Sequence, residues 1–102
     1  MQTRRPLSSA MKSRHGGADR VSTKAKLAEE LKLLGDVLVR ARERAGLKQS
    51  DVATRLAVPA SYLSKVENGT RRLDVIELIQ IAEAMDSDPA ELIRVLQKAL
   101  RR

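Results

Sequence analysis

Residues 49–68, QSDVATRLAVPASYLSKVEN, leave room for two short helices and a tight turn and for little else. Val52, Ala53 and Leu56 share a helical face at i, i+1, i+4, and Leu63 and Val66 share one at i, i+3. Pro59 lacks an amide proton and pushes the residue before it out of helical geometry, so the first helix cannot run into the second. Ala53 is small where two steeply crossing helices would come closest, and Val58 supplies an apolar wedge beneath the turn. The outward side of the second piece carries Ala60, Ser61, Tyr62, Ser64 and Lys65, with Arg71 and Arg72 just beyond it. Short polar groups and one cation, flanked by arginines, suit a helix that lies in a DNA major groove.

The charge distribution points the same way. The chain carries +7 overall, and residues 40–72 hold eight Lys/Arg against three acids, whereas residues 73–102 hold four against six. One basic face and one acidic end fit a protein that meets phosphate on one side only. Phe and Trp are absent and Tyr62 is the single tyrosine, so the core must be aliphatic, which favours a small all-α domain. Cys is absent and His15, the only histidine, falls in the N-terminal tail. Nothing therefore assembles a nucleophile, a base or a ligand set, and no enzymatic activity, cofactor or metal is expected. No apolar run has membrane-spanning length and no signal peptide is seen, so a cytoplasmic, nucleoid-associated protein without membrane contact is expected.

Taken in order, residues 1–21 are basic and poor in large apolar groups, and are expected to be a disordered arm. Such an arm either solubilises the chain or follows the DNA backbone. Residues 22–34 predict an extra helix capped by Ser22-Thr23. Leu27, Leu31, Leu34, Leu38, Ala41 and Ala45 form a heptad-like stripe that Gly35 interrupts. The preferred arrangement is a separate helix folding onto the domain; the alternative is one long helix whose first half pairs with a second subunit. The DNA-binding domain proper is then 35–102. Its first helix spans residues 36–45 with Val37, Leu38 and Ala41 inward, and Gly46 and Gly69 are expected as left-handed C-caps. Asp74-Val75-Ile76-Glu77 reads as a capping box opening a helix with Val75, Leu78, Ile79, Ala82 and Met85 on its apolar stripe. Asp88-Pro89 opens the last helix, with proline at its first position. That helix has more apolar residues than one stripe needs, and the surplus at Val95, Leu96 and Leu100 is expected to be a homodimer interface.

Leu47-Lys48-Gln49, Ala53, Leu56-Ala57-Val58, Ser61-Tyr62-Leu63-Ser64-Lys65-Val66-Glu67-Asn68-Gly69 and Arg72-Leu73-Asp74 together resemble the helix-turn-helix domain of the Cro/C1-type (XRE) family of DNA-binding regulators. The resemblance covers roughly residues 34–96. It implies a five-helix, lambda-repressor-like fold that binds double-stranded DNA sequence-specifically and regulates transcription. The expected form is a homodimer on a palindromic operator, of the repressor, restriction-modification controller or antitoxin type. An adapter whose helix-turn-helix binds a protein or RNA partner is the alternative. The resemblance places Ala60, Ser61, Ser64 and Lys65 where bases are read, and the Tyr62 ring lies on the same surface. Gln49 resembles the family's backbone-contacting glutamine, and Lys48, Asn68, Arg71 and Arg72 are further backbone candidates. Glu67 is expected to be structural and paired with a neighbouring arginine, because a carboxylate repels phosphate. Two positions depart from the pattern: Ala57 replaces a glycine where positive φ is expected, and Lys48 replaces the Thr or Ser that caps the next helix.

Overall fold

A helix of only eight residues is unstable alone and takes its position from what it packs against, and two of the helices in this chain are that short. The computed structural model describes residues 24–101, which form α1 (Lys24–Arg44), α2 (Gln49–Leu56), α3 (Ala60–Glu67), α4 (Val75–Ala84) and α5 (Pro89–Leu100), with no strand among the described residues. The expected basic arm at 1–21 and the Ser22-Thr23 cap lie outside the described residues.

Leu38, Val52, Leu63, Val66, Ile81 and Met85 are fully buried, and Val37, Ala41, Ala53, Leu78, Ala82 and Leu92 complete an aliphatic core. Each large member contributes roughly 1.5–3 kcal/mol relative to exposure. Around this core α1 packs on α5 and α3, α2 on α3 and α4, and α4 on α5. The inward set expected for the first helix, Val37, Leu38 and Ala41, is buried as the periodicity implies.

The boundary expected at Gly35 is not a break. The segment at 24–34 and the segment at 36–44 are one continuous helix, and Gly35 is buried within it. The reason is a close approach. A Cβ on Gly35 would overlap the carbonyl oxygen of Glu67 and lie 2.8 Å from its carbonyl carbon. Across the same junction, a Cβ on Gly69 would sit 2.9 Å from the Cα of Lys32. Glycine lowers helix propensity by about 1 kcal/mol, and here that loss is outweighed by letting α3 end directly on α1. The first half of α1 borders α5, with Lys26, Glu29, Glu30, Leu33, Ala99 and Leu100 lining a groove of about 480 Å³ between them.

A second difference concerns α4. Leu78, Ala82 and Met85 face the core as expected, but Ile81 joins them, while Val75 is 65% exposed and Ile79 lies at the surface. The sequence VIELIQIA offers two overlapping apolar stripes, and the capping box at Asp74 sets Val75 in a first turn that overhangs the core.

Four helix ends close alike. Leu47, Val58, Thr70 and Ser87 donate their amides to the carbonyls of Arg42, Ala53, Lys65 and Ala82, five residues back, at 3.1, 3.0, 3.0 and 2.9 Å. Each closure needs a left-handed residue before the donor: Gly46 (φ 73°), Ala57 (φ 59°), Gly69 (φ 78°) and Asp86 (φ 58°). Ala57 thus has the positive φ expected for it. Asp86 carries no such expectation from the sequence; its short polar side chain tolerates this region better than most.

Two outcomes follow. Gly35→Ala drives α3 off α1 and lowers stability by roughly 3 kcal/mol or more, read as a fall in urea midpoint. Ala57→Gly relieves a left-handed alanine and raises stability by about 0.5–1 kcal/mol after the added freedom of the unfolded chain is subtracted. A lower melting temperature for Ala57→Gly would contradict the strain assigned to that turn.

Candidate nucleic-acid interface

The inner side of α3 is saturated. Leu63 and Val66 fill the core, and Glu67 at the last turn is only 4% exposed. Its Oε2 accepts from Arg42 Nε at 2.7 Å, and its Oε1 accepts from Arg42 Nη2 at 3.0 Å and Gln49 Nε2 at 2.7 Å. Arg42 Nη1 also donates to the Leu47 carbonyl at 3.0 Å. A buried carboxylate is costly unless paired and hydrogen-bonded, and this one has a bidentate fork plus an amide. The hydrogen bond to Glu67 raises the Arg42 pKa above the ordinary guanidinium value, against the opposing effect of desolvation. Glu67 is therefore structural, as expected, and its arginine is Arg42 of α1. Gln49 is drawn into the same cluster, which brings the α2 N-terminus to the α3 C-terminus.

The outer side of α3 remains available. Ala60, Ser61 and Lys65 are exposed, and Tyr62 and Ser64 are half-buried. Asn68 and Arg72 are exposed beyond the helix end. Lys48 is exposed at the N-cap of α2 and makes no side-chain cap. The N-terminus is closed from the other direction, because Asp51 Oδ2 accepts the Lys48 amide at 2.8 Å.

Arg71 differs from its neighbour. Its guanidinium lies over the Tyr62 ring, 4.6 Å from the centroid, and its Nη2 and Nη1 meet the Glu77 carboxylate at 3.1 and 3.3 Å. Nη1 donates as well to the Arg72 carbonyl at 2.8 Å. Glu77 is itself held, accepting the Asp74 amide at 3.0 Å, while Asp74 caps the Glu77 amide at 2.7 Å. The hydrogen bond from Arg71, then that from the Asp74 amide, lowers the Glu77 pKa. Its contribution to stability is present above the ordinary carboxylate pKa and is lost as pH falls through the lowered value. Burial, with the Glu77 charge adding, pushes the Tyr62 phenol upward.

Three groups escape a reading of the sequence. An arginine partner for Glu67 is expected, but not that it is Arg42, 25 positions away, nor that Gln49, 18 positions away, joins them. Arg55 on α2 donates to the Ala84 carbonyl at 2.6 Å, tying α2 to the end of α4. Ile76 and Ile93 are exposed, as are Val75 and Ile79. Of the three interface candidates, Val95 and Leu100 are exposed, Leu100 at the groove beside α1, whereas Leu96 is partly buried against the core. Among the described residues no helix is long and apolar enough to cross a membrane.

Two short helices joined by a left-handed turn, the second with a saturated inner face and a polar, cationic outer one, define a helix-turn-helix domain. The helix-turn-helix family model matches residues 38–92, and with the motif residues described the chain belongs to the Cro/C1-type (XRE) family of DNA-binding transcription regulators. It is similar to the HTH-type transcriptional regulator y4dJ of Sinorhizobium fredii, 37% identical over 62 residues, or 61% of this chain and 80% of that protein. It is similar in structure to an XRE-family like protein from Pseudomonas syringae pv. tomato, at 34% identity and TM-score 0.64, covering 88% of this chain and 95% of that one. The restriction-modification controller C.AhdI from Aeromonas hydrophila is likewise similar, at 31% identity and TM-score 0.59, over 63% and 97% of the two chains.

Because Glu67 is buried and Arg42 neutralises it, Arg42→Ala should destabilise the fold by about 3–5 kcal/mol. Arg94→Ala, which breaks only the exposed pair with Glu91, should cost well under 1 kcal/mol. Equal effects in chemical denaturation would show that the Glu67 carboxylate is not dependent on its arginine.

Proposed function

We propose that the chain binds a specific double-stranded operator as a homodimer, with α3 of each subunit in a major groove, and regulates transcription at the nucleoid by occupying that site. The observation that carries the reading is the division of α3: every apolar or acidic residue of its last turn is turned into the protein, and Ala60, Ser61 and Lys65 are left to solvent. Lys65 donates to guanine, Ser61 donates or accepts, and Ala60 meets a thymine methyl. Arg72, Asn68 and Lys48 flank that face and meet phosphate, with the α2 N-terminus and Gln49 beside them. The similarity to a restriction-modification controller supports a regulator of the controller or repressor kind. Val95 and Leu100 form the subunit contact, with Leu96 supporting them from beneath.

Selection of bound sites from random duplexes should return a two-fold symmetric sequence, and the footprint should span both half-sites. Lys65→Ala should change the preferred base at one or two positions by about 1–3 kcal/mol. Arg72→Ala should weaken operator and bulk DNA alike and make the salt dependence shallower by roughly 0.9 for each phosphate no longer neutralised. Paired Val95→Asp and Leu100→Asp substitutions should give a monomer in sedimentation and a half-site footprint. Binding that ignores both sequence and salt, or capture of single-stranded RNA in preference to duplex DNA, would refute the reading.

A further inference from the structure

We infer that Arg71 is a positioning residue for Tyr62 and not a phosphate contact: with Glu77 it clamps the tyrosine ring in the orientation in which α3 presents it to DNA. This rests on the proposal that the outer face of α3 reads bases, and it divides the adjacent Arg71 and Arg72 between two tasks.

The geometry leaves Arg71 little capacity for phosphate. One face of its guanidinium covers the Tyr62 ring, and both terminal nitrogens are engaged by Glu77, one of them also by the Arg72 carbonyl. Its charge is matched by a carboxylate that is not free to leave, because Glu77 also closes the capping box on the Asp74 amide at the head of α4. The cation and its partner together add no net charge toward a phosphate, and an approaching phosphate would be repelled by Glu77. Arg72 is exposed and better suited to that contact. What the arrangement does supply is rigidity. Tyr62 stands in the first turn of α3, half in the core and half in solvent. Its ring would otherwise turn freely on the open side. A stacked guanidinium, fixed by two anchored acceptors, removes that freedom before DNA arrives, so the ring and hydroxyl meet the groove already oriented.

Lysine at position 71 keeps the charge but can neither stack as a plane nor fork onto a carboxylate, so Arg71→Lys separates positioning from charge. Tyr62 is the only Phe, Trp or Tyr residue of the chain, so the near-ultraviolet circular dichroism of the free protein reports this one ring. Arg71→Lys and Glu77→Gln should both collapse that tyrosine band while the far-ultraviolet helical signal persists. An unchanged band in folded Arg71→Lys overturns the clamp, whatever the protein binds. On DNA, Arg71→Lys should narrow the affinity ratio of the selected operator over a scrambled duplex by about tenfold, with the salt slope unchanged. Tyr62→Ala should alter preference at the same base position, and Tyr62→Ala with Arg71→Lys should add nothing further. Retention of the ratio by Arg71→Lys, with Arg71→Ala weakening both duplexes equally and flattening the slope, would make Arg71 a phosphate contact and overturn the inference. A wild-type protein that cannot tell operator from scrambled duplex would instead remove the base-reading proposal, and the circular dichroism would still decide whether the clamp exists.

Discussion

The junction where the end of α3 meets the middle of α1 determines the position of everything else. Eight residues of α3 cannot hold a helix by backbone hydrogen bonding alone. Leu63 and Val66 fix its depth, but apolar contacts tolerate rotation and sliding. Glu67 removes that tolerance. Its carbonyl rests over Gly35 with no space for a side chain between, and its carboxylate is held by a planar fork from Arg42 and an amide from Gln49. A buried ion pair of this kind adds less net stability than an apolar replacement could. Its geometric demand is what matters here, because three directed hydrogen bonds are satisfied in one register only. α1, α2 and α3 are thereby locked through a single carboxylate, and the outer face of α3 is defined by what its inner face must do.

This bears on which basic groups can serve DNA. A net charge of +7 suggests a wealth of cations, yet several are committed within the fold. Arg42 belongs to Glu67, Arg71 to Glu77 and Tyr62, and Arg55 caps a carbonyl at the end of α4. Lys48, Lys65 and Arg72 remain exposed around α3. A salt slope counts phosphates neutralised, not arginines present, so the committed arginines should contribute little to it.

Much of the fold is legible in residues whose local chemistry has one solution. Gly46 and Gly69 follow apolar-periodic segments and cap them; Asp74 and Glu77 bond reciprocally; Pro89 begins a helix. Ala57 is legible because the family pattern has a glycine there, and the turn keeps its left-handed conformation with alanine in place. The failures share a cause. Gly35 resembles a stop because propensity penalises glycine in a helix, whereas its value lies in contact with Glu67, far along the chain. The α4 stripe is misassigned because Val75, Ile76, Ile79 and Ile81 make nearly all sides apolar, and periodicity cannot choose between overlapping stripes. The Glu67 cluster is half legible: an arginine partner is expected, but which one depends on the crossing of α1 and α3. The basic residues of the site can be named from sequence, but not sorted into those the fold consumes and those it leaves exposed.

That sorting explains why the two arginines after α3 need not be equivalent. The chain bends at Arg71, whose guanidinium turns back over Tyr62, whereas Arg72 is exposed. Tyr62 offers the inward one a ring, and Glu77 offers it a carboxylate already oriented by the cap of α4. The inward arginine therefore loses its charge to the fold and gains a fixed position, whereas the outward one keeps its charge and its exposure. A recognition surface needs both properties, since long-range attraction brings the duplex in and short-range rigidity distinguishes one sequence from another. On the proposed reading the two are supplied by neighbouring residues of the same type, one stacked on Tyr62 and one exposed.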